Sequence, residues 1–194
     1  MSLIPAFEIG IWNAWIFMSS FLLGSLAIIL AGKNVAERGG HPADMRKSKA
    51  EKRAGIIGNT IWLLATAYSI FLPLLLETPW FYAGLAIFLV GLGVLTTATI
   101  NFATAPFDKP ITRGIYYYSR HPMYLAMFLI FLGTSIATAS WVFFLLGIAN
   151  VFWMGTETLV EERYCLERYS DTYREYMSKT PKWIGLPKWR RTYA

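Results

Sequence analysis

Long runs without charge alternate along the chain with short polar connections. Residues 9–32 contain no Asp, Glu, Lys or Arg, and a helix needs roughly 20 such residues to cross a membrane. A second uncharged run covers 54–76, with Pro73 near its end, where a proline terminates or kinks a helix. The third begins at Trp80, a residue suited to the membrane interface, and continues to about Phe102. Its Gly84, Gly91 and Gly93 would let a neighbouring helix approach closely. The fourth run, 122–156, has 35 residues: too long for one crossing and a little short for two.

Charge decides how the fourth run is drawn. Arg120 and Arg163 flank it, and cationic flanks favour the same, cytoplasmic side, so the number of crossings is even. That predicts a tight hairpin turning within 133–140, its two helices about 16 residues long and spanning roughly 24 Å each. The expectation is an all-α polytopic integral membrane protein with about five transmembrane helices, N-terminus outside and C-terminus cytoplasmic. The basic residues are consistent with it. Seven Lys+Arg fall in the loop 33–53, three before the hairpin (Lys109, Arg113, Arg120) and eight after Thr156, which accounts for all 18 on one face.

After Thr156 the periodicity changes. Leu159, Leu166, Tyr169, Tyr173 and Tyr176 recur at helical spacing among charged residues, predicting a cytoplasmic amphipathic helix over 157–177 that Pro181 ends. Beyond it, Lys182, Trp183, Lys188, Trp189, Arg190 and Arg191 mix aromatics and cations as an interface anchor does.

Composition narrows the function. With 55% hydrophobic residues and a mean hydropathy of +0.40, the 194 residues read as a single membrane domain, 1–194, expected to be monomeric. The net charge of +6 is spread along the polar connections and points to anionic lipid headgroups, not nucleic acid. No Lys or Arg precedes the first run, so it is expected to be retained and not cleaved as a signal peptide. A single cysteine, Cys165, precludes an internal disulfide or a multi-cysteine metal site, and is expected to be a packing residue. Glycine-rich phosphate loops, a dinucleotide fingerprint and HExxH spacing are all missing, and only His41 and His121 could supply imidazole. No metal is expected.

Chemistry concentrates in Ile111–Tyr124, the one polar, aromatic and cationic stretch between long apolar runs. Pro122 pre-sets the first turn of the next helix and holds His121 at a membrane edge. Asn101 ends the preceding run, and Glu161 and Glu162 lie where the chain leaves the bilayer again. These residues together would form one cytoplasmic cluster able to hold a charged, aromatic small molecule.

The motifs Thr112-Arg113-Gly114-Ile115-Tyr116 and Arg120-His121-Pro122-Met123-Tyr124, then Glu161-Glu162 followed by Tyr173, Tyr176 and Pro181, resemble the membrane-embedded methyltransferases typified by isoprenylcysteine carboxyl methyltransferase. Phospholipid methyltransferases are relatives of that family. The resemblance covers roughly the C-terminal half and suggests a small prokaryotic or archaeal member. It implies an S-adenosylmethionine site facing the cytoplasm, built from 103–124 and 157–194, with S-adenosylhomocysteine as product.

Carried over residue by residue, the resemblance assigns the cofactor pocket to Asn101, Asp108, Lys109, Pro110, Ile111, Tyr116, His121, Pro122, Met123, Tyr124, Glu161 and Glu162. Arg120 or Arg113 would meet the cofactor carboxylate. Arg120, His121, Tyr124 and Glu161 would position the reactants without an acid or base step. The acceptor implied is lipophilic, a prenylcysteine-like carboxylate giving a methyl ester. The alternatives are an amine acceptor, as in phospholipid N-methylation, a sterol-reductase-like enzyme using NADPH, and a non-catalytic scaffold. One departure stands out: Glu157 occupies the place where an arginine for the carboxylate of prenylated cysteine is expected.

Overall fold

A computed structural model of the chain describes residues 7–30, 32, 33, 35 and 48–186. His41, Arg38, Arg46, Lys47 and the stretch 187–194, including Lys188, Trp189, Arg190 and Arg191, lie outside the described residues. The described part is all-helical: α1 (Trp15–Leu30), α2 (Lys49–Ser69), α3 (Pro79–Ala103), α4 (Pro122–Ala137) and α5 (Trp141–Lys179), with a 3₁₀ turn at Gly114–Tyr117.

Each helix starts and stops for a local reason. Ser48 and Glu51 close a reciprocal capping box at the head of α2. That helix ends at Ser69, four residues before Pro73, which has no N–H to bond the Ser69 carbonyl and continue the ladder. The segment before α1 pairs with this exit: Asn13 donates to the Glu8 and Ile70 carbonyls at 2.7 Å each, and Ala14 N–H to Leu72 O at 2.8 Å. Thr78 caps α3, with Pro79 in its first turn. The hydroxyls of Ser20, Thr134 and Ser135 bond back to carbonyls of their own helices, which satisfies them in apolar surroundings.

The tightest packing joins α3 to α4. A Cβ at Gly84 would stand 2.3 Å from Ala137 N and 2.4 Å from Gly133 O, and one at Gly133 would stand 2.6 Å from Phe88 N. The two backbones therefore touch, which only small residues permit. Gly91 meets Leu129 and Ile130 in the same seam, whereas Gly93 faces open space. Around the seam Phe17, Phe21, Phe88, Ile130, Phe131 and Phe143 form the core, with Phe17 and Phe88 stacked at 4.0 Å between centroids.

The hairpin turns at 138–140, within the predicted window, with Ala139 at φ 47°. The second arm differs from expectation. Instead of stopping and handing over to a separate amphipathic helix, α5 runs for 39 residues, through the composition change at Glu157. A switch from apolar to amphipathic pattern contains nothing that breaks a helix. The one interruption is Ser170, at φ 47°, ψ −120°, a conformation costly for a non-glycine residue.

Outward faces are apolar. Leu22, Leu23, Ile29, Ile56, Ile57, Leu89, Val90, Leu145 and Phe152 are all more than half exposed, a belt that suits contact with lipid. By length and composition α3 and α5 can cross a membrane, while the apolar α1 and α4 have 16 residues each.

Candidate active site

The stretch leading to His121 is shaped by contacts from α3 and α5. Gly114 adopts φ +60°, and a Cβ there would lie 2.1 Å from Asn101 Oδ1, so glycine is required twice over. Asn101 itself donates to Thr97 O at 2.6 Å. The 3₁₀ turn that follows buries Tyr116, whose carbonyl accepts the Tyr176 hydroxyl at 2.5 Å. Residues 181–185 run alongside: Arg120 N–H donates to Pro181 O and Gly185 N–H to Tyr118 O, both at 3.1 Å. Ser119 Oγ accepts the His121 N–H at 3.1 Å, and Pro122 then opens α4.

His121 is thereby set against the middle of α5, outside the uncharged run. Its Nε2 is 3.0 Å from Glu162 Oε1 and its Nδ1 is 3.3 Å from Glu161 Oε2. Arg120 Nη2 reaches the same Glu162 oxygen at 3.0 Å, while its Nη1 donates to Met177 O at 3.3 Å. The Tyr124 hydroxyl donates to Glu161 Oε1 at 2.5 Å. One connected chain results, from Arg120 through Glu162, His121 and Glu161 to Tyr124. Only 5% of His121 and 8% of Glu162 is exposed, so these are charges held by one another and not by water.

Burial alone would lower the His121 pKa, but the hydrogen bonds and negative charges of Glu161 and Glu162 outweigh it and hold the pKa above its ordinary value. For Glu162 burial would raise the pKa, yet the His121 hydrogen bond and the charges of Arg120, His121 and Lys182 hold it below. When protonated, the ring can donate from both nitrogens, one to each carboxylate.

A cavity of about 500 Å³ opens beside this network, the size of a small-molecule site. It is lined by Pro110, Ile111, Tyr116, Arg120, His121, Pro122, Met123, Tyr124 and Glu161, all nominated from the sequence, and also by Tyr164, Cys165, Tyr169, Tyr173 and Tyr176. Asn101, Asp108, Lys109 and Glu162 do not line it. Asp108 and Lys109 are exposed, Asn101 supports the Gly114 turn, and Glu162 stands behind His121. Arg113 is also elsewhere, donating to Thr104 O and Oγ1 at the end of α3.

The lining also includes residues that the sequence alone does not nominate. Phe21, Gly24, Ser25 and Ile28 of α1, Asn59 and Trp62 of α2, Leu95, Thr99 and Phe102 of α3, Met127 and Trp153 form a mainly apolar arm. Of these only Asn59, an amide inside an uncharged run, carried a signal. The lining thus combines a charged, tyrosine-rich part, the charged chamber, with an apolar one, the apolar arm.

Residues 80–172 match the phospholipid methyltransferase family. A segment of 78 residues, 39% of this chain and 33% of the relative, is 36% identical to the protein-S-isoprenylcysteine O-methyltransferase of Schizosaccharomyces pombe. Residues 80–172 are thus similar to a methyltransferase family. The chain spans about a third of the length of that curated relative, and no solved structure matches it. The matched stretch contains nearly all of α3, the His121 segment, α4 and α5 as far as Thr172, ten residues past the glutamate pair. Tyr173, Tyr176 and the α1 and α2 walls of the apolar arm lie outside it.

Proposed function

We propose that this chain is an integral membrane methyltransferase that moves a methyl group from S-adenosylmethionine to a carboxylate on a lipophilic acceptor. The observation that carries the proposal is one cavity whose lining has two chemically different parts, one polar and charged, one apolar. A polar cofactor and an apolar acceptor would each enter from its own solvent and meet beside His121. The family match and the named relative support the same reading. In it about five helices cross the membrane, with both basic regions and the cofactor chamber on the cytoplasmic side.

The residues present fit the cofactor. When bound, it supplies a methyl group activated by a sulfonium charge. Tyr116, Tyr164, Tyr169 and Tyr173 offer ring faces to a cation and to the adenine, and Glu161 offers an anionic oxygen to an ammonium or ribose hydroxyl. Arg120 lines the chamber, and its buried Nε lacks a hydrogen-bond partner. A ligand carboxylate would give that donor an acceptor.

The network positions more than it transfers protons. His121 has both nitrogens committed to carboxylates, so it holds its proton and is not free to take one from an acceptor. An acceptor carboxylate is ionised near neutral pH and needs only to be held in line with the methyl group. An amine acceptor would have to lose a proton. The phospholipid methyltransferase match favours that second reading; the occupied His121 favours the first.

Calorimetry with S-adenosylhomocysteine on protein in detergent tests the site. His121→Ala and Glu161→Ala should each weaken binding by about 1.5–3 kcal/mol, roughly ten- to a hundredfold. Unchanged affinity in both variants would assign these residues to packing alone and reject the site.

A further inference from the structure

The apolar arm is partly walled by a tryptophan whose orientation is built in. Trp153 lines the cavity from α5. Its Nε1–H donates to Glu157 Oε1, one turn later, at 3.0 Å. Its ring lies against the backbone of α2 at Gly58, where a Cβ would stand 2.1 Å from Cγ and 2.3 Å from Cδ2. Only glycine at 58 lets the indole lie there. Glu157 is 6% exposed, and a carboxylate is buried at a cost unless hydrogen bonds engage it. Here one bond it makes fixes the plane of an aromatic side chain that faces the cavity.

Gly58 and the arm residues Asn59 and Trp62 follow one another on α2, outside the methyltransferase-like stretch, while Trp153 and Glu157 lie inside it. The wall is thus assembled across the boundary between the matched part and the remainder of the chain. A rigid indole narrows the arm in a way that a flexible Leu or Met would not. It also accounts for a glutamate where a substrate-binding arginine was expected.

We infer that Trp153, held by Glu157 and Gly58, is the specificity-determining wall of the acceptor arm and limits how large an apolar chain it takes. Glu157 acts through Trp153 and is a positioning residue. The inference rests on the proposed methyltransferase reading for the nature of the acceptor, but the shape of the arm can be tested separately.

Two measurements do so on the full chain in detergent. In the first, methyl transfer to N-acetyl cysteines carrying S-geranyl, S-farnesyl or S-geranylgeranyl chains is compared. Trp153→Ala, and Trp153→Phe as a milder variant, should shift the kcat/KM ratio toward the bulkiest chain by about tenfold or more, the scale of a reshaped apolar pocket. S-adenosylhomocysteine affinity should stay within about twofold, since Trp153 stands two turns of α5, about 12 Å, before Glu161. Glu157→Gln keeps an oxygen that can accept the indole N–H and should keep the wild-type ratio; Glu157→Leu should shift it as Trp153→Phe does. In the second, a farnesylcysteine bearing a photoreactive diazirine on its chain should crosslink to α1 or α2 near Asn59 and Trp62, and Trp153→Ala should increase capture of the geranylgeranyl homologue. Crosslinks mapping elsewhere, or unchanged chain preference in folded Trp153 variants, would overturn the inference. Capture in the arm with altered preference but no methyl transfer would leave this wall standing and overturn the methyltransferase reading instead.

Discussion

Replacing Glu162 by Ala should unfold the protein's polar centre more than any other single truncation there. The carboxylate stands 3.0 Å from both the Arg120 guanidinium and the His121 imidazole, with side-chain exposures of 11%, 10% and 4% for the three groups. Removing it leaves two buried cations facing each other, and breaking a buried pair from one side costs about 3–5 kcal/mol. For a chain of this length 1 kcal/mol moves the melting temperature by about 2–4 °C, so a fall of roughly 6–20 °C is expected. Glu161→Ala is the internal control. Its side chain is 31% exposed and it leaves Glu162 in place, so about 1–3 kcal/mol is expected.

The pH dependence carries a sign that can be checked in the same assay. The raised His121 pKa contributes stability that is complete below its ordinary value of about 6.5 and is lost as pH rises through the folded value. The lowered Glu162 pKa contributes stability that is complete above its ordinary value of about 4.3 and is lost as pH falls through the folded value. Melting followed by tryptophan fluorescence in detergent should therefore show a loss on the alkaline side that His121→Asn removes. Equal small losses in Glu161→Ala and Glu162→Ala, below about 1 kcal/mol, would refute the reasoning that Glu162 is the buried hub.

Gly133→Ala places a Cβ 2.6 Å from Phe88 N, so the α3–α4 seam must open; a loss of about 3 kcal/mol or failure to accumulate in membranes is expected, and near-wild-type melting would contradict the close packing. Cys165, the chain's one cysteine, lines the charged chamber, so S-adenosylhomocysteine should slow its reaction with maleimide about tenfold or more, and no protection would place the ligand elsewhere. For the topology, single cysteines introduced at Ser48 and Thr78 in a Cys165→Ser background should differ in labelling by an impermeant reagent from outside, with Thr78 the reactive one; equal labelling would break the proposed orientation.

How much the sequence foretold differs from element to element. Charge parity across Arg120 and Arg163 placed the hairpin turn to within a few residues, because a 35-residue uncharged run between cationic flanks has few arrangements. The change of composition at Glu157 suggests a new element, yet nothing there breaks a helix and α5 continues through it. The kink at Ser170 had no proline or glycine to announce it. In the candidate site, His121 and the glutamates could be brought together from topology alone, since the hairpin returns the chain to its starting face. Which guanidinium nitrogen meets which oxygen could not. Arg120 and Arg113 were equal candidates for a ligand carboxylate, and side-chain packing turns Arg113 to Thr104 and ties Arg120 to Glu162. The apolar arm is a product of tertiary packing among α1, α2 and α5, and apart from Asn59 its residues look like any lipid-facing helix.

The most direct measurement is the fate of a labelled methyl group. Membranes containing the protein are given S-adenosylmethionine labelled in its methyl group together with a prenylcysteine analogue, and the lipid-extractable product is treated with base. Base-labile label released as methanol is expected, and its loss in His121→Ala and Glu161→Ala. Base-stable label in the extracted lipid would instead indicate an N-methyl product and contradict the carboxylate acceptor, and protein that binds cofactor yet labels neither would contradict methyl transfer to a lipophilic acceptor altogether.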